Sequence, residues 1–92
     1  MIQSFKDKDA EDLWIKRSAP KLGGIQAVAL RKLAMLHAAA ALNDLRIPPA
    51  NRLEKLKGDR AGQHSIRIND QWRVCFVWEA PGPRDVEIVD YH

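Results

Sequence analysis

Ser65-Ile66-Arg67-Ile68-Asn69-Asp70-Gln71-Trp72-Arg73-Val74-Cys75-Phe76-Val77-Trp78 is the stretch that decides the fold. Ile66 and Ile68 alternate with Ser65, Arg67 and Asn69. Trp72, Val74, Phe76 and Trp78 alternate with Arg73, Cys75 and Val77. A period of two sends successive side chains to opposite faces of a sheet, so two strands are expected, joined by a short loop. Loop length sets their register. A two-residue turn at Asn69-Asp70 places Ile66 opposite Arg73 and a charge on the apolar face. A three-residue loop, Asn69-Asp70-Gln71, pairs Ile68 with Trp72, Ile66 with Val74 and Arg67 with Arg73, and keeps both faces uniform. The second register is therefore expected. It leaves two arginines facing each other, which repel unless solvent, an anion or separate carboxylates, for example Glu87, compensate.

Working outward, Pro81-Gly82-Pro83 reads as a turn and Asp85 to Asp90 as a third strand with Val86 and Ile88 inward. Upstream, Lys6 to Arg17 reads as a helix capped by Asp7 or Asp9 and closed by Lys16 and Arg17, with Leu13 and Trp14 buried. Ser18-Ala19-Pro20 breaks it. Ile25 to Leu45 reads as the longest helix, with Ile25, Ala29, Leu33, Leu36 and Ala40 as its apolar stripe and Ala38 to Ala41 as strong helix formers. Pro48-Pro49 then forces an extended connection, Leu53 to Gly58 is an approach segment, and Gly58 to Gly62 is a loop. Ile2 to Phe5 is an edge strand or a loose terminus. The expected fold is α+β over one domain, residues 1–92. Two N-terminal helices pack on one face of a small, mostly antiparallel sheet in the order β-α-α-β-β-β, and Arg67, Arg73 and Cys75 lie on the other face.

Composition agrees. Ninety-two residues make one core, and 46% hydrophobic with 29% charged residues excludes a disordered chain. The lone Cys75 excludes an intrachain disulfide and a cysteine-based zinc site. The charged N-terminus has no apolar core of a signal peptide, and Ile25 to Leu45 is broken by charges, so a cytoplasmic protein with no membrane partner is expected. Net charge is +3, concentrated between Arg52 and Arg73, where Arg52, Lys55, Lys57, Arg60, Arg67 and Arg73 outnumber Glu54, Asp59 and Asp70. A local cationic patch suits a polyanion such as nucleic acid, although a mixed solubilising surface reads the same way.

His37, His64 and His92 lack metal-ligand spacing, and no glycine-rich phosphate loop is present, so neither metal nor cofactor is expected. Trp72, Val74, Phe76 and Trp78 read as core rather than as base-stacking platforms. Asp90-Tyr91-His92 gathers a carboxylate, a phenol and an imidazole at the end of a strand. With Lys57, Arg60, Arg67 and Arg73 these are the parts for metal-free cleavage of RNA. A base deprotonates the 2′-hydroxyl, cations stabilise the phosphorane, and an acid protonates the 5′-oxygen.

Leu56-Lys57-Gly58-Asp59-Arg60-Ala61-Gly62, Ser65-Ile66-Arg67-Ile68-Asn69, Trp72-Arg73-Val74-Cys75-Phe76 and the terminal Asp90-Tyr91-His92 together resemble the HigB branch of the RelE/ParE toxin superfamily. The resemblance extends to Met1 to Phe5, the two helices and Ile47-Pro48-Pro49, and so to nearly the whole chain. It implies a type II toxin that cuts mRNA in the ribosomal A site without a metal. A cognate helix-turn-helix antitoxin neutralises such toxins, and the complex binds operator DNA through that antitoxin. The implied catalytic residues are His92, Tyr91, Asp90, Arg73 and Lys57, with His92 the favoured acid or base. Arg60, Arg67 and Asn69 are the implied RNA-binding residues. One departure is Glu54, where some relatives have a histidine; Glu54 can act as a base, but a position near a helix end suits a solvated role. Two alternatives remain open: a ParE-like toxin that inhibits DNA gyrase without cutting RNA, and a catalytically weak RNA- or antitoxin-binding module.

Overall fold

The computed structural model describes residues 1–90. The chain forms helix α1 (Lys8–Lys16), a 3-10 turn at Pro20–Ile25, helix α2 (Gln26–Ala38), and strands β1 (Glu54–Lys55), β2 (His64–Arg67), β3 (Trp72–Glu79) and β4 (Gly82–Asp90). Short 3-10 turns at Leu42–Arg46, Pro49–Asn51 and Gly58–Arg60 fill the connections. The four strands are antiparallel in the order β1-β2-β3-β4. This is the expected α+β architecture with the expected number of strands, but the order differs: Ile2 to Phe5 does not form a strand, and Glu54–Lys55, expected only as part of an approach segment, does.

The hairpin register is the expected one. Ile66 pairs with Val74 and Arg67 with Arg73, and Ile68 donates its N–H to the Trp72 carbonyl across the loop at 2.9 Å. The inner face buries Ile66, Ile68, Val74, Phe76, Val86 and Ile88 against Ala10 and Leu13 of α1 and Ala29, Leu33 and Leu36 of α2. Leu33 and Leu36 are fully buried, so truncating either to Ala costs about 2–5 kcal/mol. Trp14, Trp72 and Trp78 are only partly buried, at the margin of this core.

The N-terminal segment is neither a full strand nor loose. It runs parallel to β4 through a single bridge, Phe5 to Val86. Gln3 N–H donates to the Pro83 carbonyl at 2.8 Å and Lys6 N–H to the Val86 carbonyl at 2.9 Å. Gly82 makes room for it: a Cβ there would lie 2.2 Å from the Met1 carbonyl oxygen. Pro81-Gly82-Pro83 is not all turn, because β4 starts at Gly82 and only Ala80 and Pro81 reverse the chain. Between Cys75 and Val77 the register shifts, so Asp85 and Val86 together face Phe76. Asp85 takes a left-handed conformation (φ 52°), which Asp tolerates better than most residues.

The second helix is shorter than expected. It ends at Ala38 rather than Leu45, although the alanine run favours helix. Ala39 is extended (ψ 130°), and the Asp44 carboxylate accepts hydrogen bonds from Ala40 and Ala41 N–H, both at 3.0 Å. Those amides are satisfied without a helix, and the following 3-10 turn buries Leu45 in the core. The Pro48-Pro49 connection is likewise not wholly extended, because Pro49 starts a 3-10 turn to Asn51. Asn51 is fully buried, and its Oδ1 accepts from the buried Lys32 ammonium at 2.6 Å.

Candidate functional site

Cross-strand pairing lines up Glu54, Ser65, Cys75 and Glu87, one from each strand, in a single row. Strand alternation puts this row on the sheet face away from the helices, the face that also carries Arg67 and Arg73. Ser65 and Cys75 form its small, fully buried centre, and a carboxylate stands at each end.

An arginine meets each carboxylate. Arg73, 9% exposed, donates from Nε to Ser65 Oγ at 2.7 Å and from Nη2 to the Arg52 carbonyl at 2.6 Å, and Nη2 lies 3.6 Å from Glu54 Oε2. Arg60 donates from Nη1 to Glu87 Oε1 at 2.6 Å and to Gln63 Oε1 at 3.1 Å. Burial pushes the Cys75 thiol up to about 11, against the pull of the Arg60 guanidinium. Cys75 is thus an inert filler beneath the charged groups. Glu87 does not compensate the Arg67–Arg73 pair as the sequence reading allowed; Arg60 has taken it. Arg67 instead pairs with Asp70, three residues on, and Arg73 turns the other way toward β1.

The remaining expected residues are not part of this row. Lys57 is exposed, directly before the Gly58–Arg60 turn, and its ammonium makes no ion pair among the described residues. Asn69 Oδ1 accepts from Gln71 and Trp72 N–H, both at 2.8 Å, so its carbonyl shapes the hairpin loop beside Arg67. Asp90 ends β4 opposite Trp72. It shares the alternation of Val86 and Ile88 but is exposed at the strand's end, and its Oδ2 accepts from Gln71 Nε2 at 3.0 Å. Tyr91 and His92 lie outside the described residues.

Glu54 differs from expectation. It is on strand β1, not near a helix end, and its carboxylate faces Arg73. Strand β1 also positions Ser65, which the sequence reading passed over along with the Arg52 carbonyl and Gln63. A two-residue strand is too short to show a period, so its partners carried no local signal. The open face offers a rigidly held cation (Arg73), a partly exposed carboxylate (Glu54) and a further cation at the loop (Arg67), and the exposed Lys57 follows Glu54 by three residues. Such a set can bind a phosphate and exchange a proton beside it. Among the described residues no group of three His, Cys, Asp or Glu side chains is placed to hold a metal ion, and no helix is long and apolar enough to cross a membrane.

Residues 3–92 match a family model described as the RelE-like toxin of the type II toxin–antitoxin system HigB. The chain is 44% identical over 80 residues to Toxin HigB-1 of Vibrio cholerae serotype O1, covering 85% of this chain and 84% of that one. Two solved structures of YoeB–YefM complexes from Staphylococcus aureus, one described as a heterotetrameric toxin–antitoxin complex, share the fold. Their TM-scores are 0.62 and 0.57 at 16% and 18% identity, and each match covers 100% of this chain and 98% of the other.

Proposed function

The chain belongs to the HigB-like family of RelE-like toxins from type II toxin–antitoxin systems, and from that membership we propose that it is a ribosome-dependent mRNA endoribonuclease. It acts in the cytoplasm on mRNA in the ribosomal A site, without a metal. A cognate helix-turn-helix antitoxin neutralises it, and the complex reaches operator DNA through that antitoxin. The toxin–antitoxin complexes among its structural neighbours support the antitoxin partner.

The observation that carries this reading is the juxtaposition of Arg73 with Glu54 on the open face of the sheet, with the exposed Lys57 three residues beyond Glu54 in the chain. In the proposed reaction the ribose 2′-hydroxyl attacks the adjacent phosphorus, and the P–O5′ bond breaks to leave a 2′,3′-cyclic phosphate. Arg73 and Lys57 stabilise the charge that builds on the phosphoryl oxygens. Arg73 is suited to this because Ser65 and the Arg52 carbonyl already fix its plane, so little ordering is needed when the phosphate arrives. His92, with Tyr91 and Asp90 beside it in sequence, supplies a proton to the leaving oxygen. Glu54 is a proton acceptor for the 2′-hydroxyl, a role its strand position beside Arg73 favours over the solvated role first assigned to it. Arg60, Arg67 and Asn69 extend the contact along the RNA.

The test is expression of wild type and His92→Ala in cells, with 5′-end mapping of a reporter mRNA. New ends inside translated codons are expected for wild type, absent in the variant and absent when translation is blocked. Growth arrest with intact mRNA would overturn the nuclease reading and direct attention to gyrase.

A further inference from the structure

A cleft of about 630 Å³ lies between the start of α1, the Ala19–Leu22 turn and the sheet. Its chemistry is opposite to that of the cationic face. Leu22, Trp72 and Ile88 line it with apolar surface, and Trp72 is only half-buried there. Asp7, Asp9 and Asp12 line it with carboxylates. We infer that this cleft is a docking site for a basic, amphipathic protein segment, contributed by the antitoxin; the identity of that partner rests on the toxin–antitoxin reading above.

The charges are available to such a partner. Asp9 has no ion-pair partner among the described residues. Asp12 is shared at 3.5 and 3.6 Å between Lys8 and Lys16, whose side chains are 78% and 65% exposed. Exposed pairs of this kind hold weakly and yield to an incoming cation. Nucleic acid is a poor occupant, because its phosphates meet carboxylates here while a cationic face is open elsewhere. A segment with Lys or Arg flanking one large apolar residue fits both halves: the apolar side chain covers Trp72, Leu22 and Ile88, and the cations reach Asp9 and Asp12. A partly exposed tryptophan ringed by charge is a common anchor of protein interfaces. Binding at this cleft leaves Arg73 and Lys57 untouched.

Two charge changes test the assignment in opposite directions. The binding partner is the full-length antitoxin, identified as the protein that restores growth when co-expressed with the toxin, and affinity for the purified toxin is read by calorimetry at two salt concentrations. Asp9→Lys is expected to weaken binding about tenfold or more and, in cells, to keep arresting growth while escaping neutralisation. Lys21→Glu, which removes a cation from the same cleft, is expected to tighten binding, most at low salt. Lys21 is exposed and outside α1, so this variant decides the matter if Asp9→Lys does not fold. Unchanged affinity in both variants, or weaker binding by Lys21→Glu, overturns the assignment while leaving the toxin reading intact. Loss of ribosome binding rather than antitoxin binding by Asp9→Lys would make the cleft part of the ribosome contact and overturn it equally. A wild-type chain that no antitoxin neutralises would remove the reading on which the inference rests.

Discussion

Asp7 ties the first helix to the last strand through Ile88. Its Oδ1 accepts from Ala10 N–H, as an N-cap, and its Oδ2 accepts from Ile88 N–H on β4, both at 2.8 Å. Each oxygen satisfies an amide that has no other backbone partner at a helix start or a sheet edge. Asp7→Ala removes both bonds at once. The expected loss is about 2–4 kcal/mol, a cap of about 1 plus an unsatisfied, part-buried amide. Asp7→Asn keeps one acceptor and is expected to fall between wild type and Ala. Urea unfolding of the three proteins checks the order; equal midpoints would show that the contact contributes nothing.

Arg60 and Glu87 are separated by 27 residues yet meet at 2.6 Å, with side chains 29% and 15% exposed. Pairs at this depth couple more strongly than surface pairs, because water screens them less. In a cycle of Arg60→Ala, Glu87→Ala and the double variant, a coupling energy of about 1–2 kcal/mol is expected. Glu87→Ala alone is expected to cost more than a surface substitution, since it leaves a part-buried guanidinium short of its carboxylate. A coupling energy near zero would mean that the loop over residues 58–63 is held by other contacts.

The hairpin was legible because only one register keeps charge off the apolar face, a constraint written entirely in residues 65–78. The end of α2 was not, because local propensity favoured helix while the Asp44 carboxylate captured the Ala40 and Ala41 amides and Leu45 sought the core. The site split the same way. Arg73 and Lys57 were legible through resemblance and charge. The partners that orient Arg73, namely Ser65, Glu54 and the Arg52 carbonyl, depend on strand β1, whose two residues carry no periodic signal. The Arg60–Glu87 pairing spans the sheet and has no local trace at all.

Cys75 is buried at the centre of the row, with its thiol pushed up to about 11 from an ordinary value of 9.0. The neutral thiol is therefore favoured in the folded state. Its contribution to stability is complete below pH 9 and is lost as pH rises toward 11. Labelling by a thiol-disulfide reagent at pH 8 is expected to be at least about 100-fold slower than for an unfolded chain, from the thiolate fraction alone. Rapid labelling of the native protein would show that the face over Cys75 opens.

His64 is set on β2 with its ring stacked on Phe76, centroids 6.4 Å apart, and its Nδ1 buried with no partner among the described residues. Burial, and then the Lys55 charge, lower its pKa below the usual 6.5. Protonation is thus easier in the unfolded chain. Stability from this group is complete above pH 6.5 and falls as the pH drops through the lower folded value. His64→Phe, which keeps a ring against Phe76, is expected to flatten the stability profile between pH 7 and about 5. An unchanged acid limb would assign that loss to the carboxylates instead.

Glu54 and Lys57 give the cleanest readings of the proposed chemistry, and Arg73 the least clean. Arg73 is buried and bonded to Ser65 and the Arg52 carbonyl, so Arg73→Ala strands two acceptors and is expected to cost about 2–3 kcal/mol of stability. Lost cleavage in that variant would mix folding with catalysis. Glu54 is 56% exposed and its contact with Arg73 is long, at 3.6 Å, so Glu54→Gln is expected to leave stability within about 0.5 kcal/mol. Lys57 is exposed and unpaired among the described residues, and Lys57→Ala is expected to be equally silent in unfolding. In ribosome-dependent cleavage, Glu54→Gln is expected to slow the single-turnover rate by about 100-fold or more and to remove an acidic limb from its pH profile, as loss of a general base does. Lys57→Ala is expected to lower the rate at every pH without changing the profile's shape, because a fixed cation stabilises charge but moves no proton. A Glu54→Gln profile that keeps its acidic limb would return the base to His92, and leave Glu54 as a tether for Arg73.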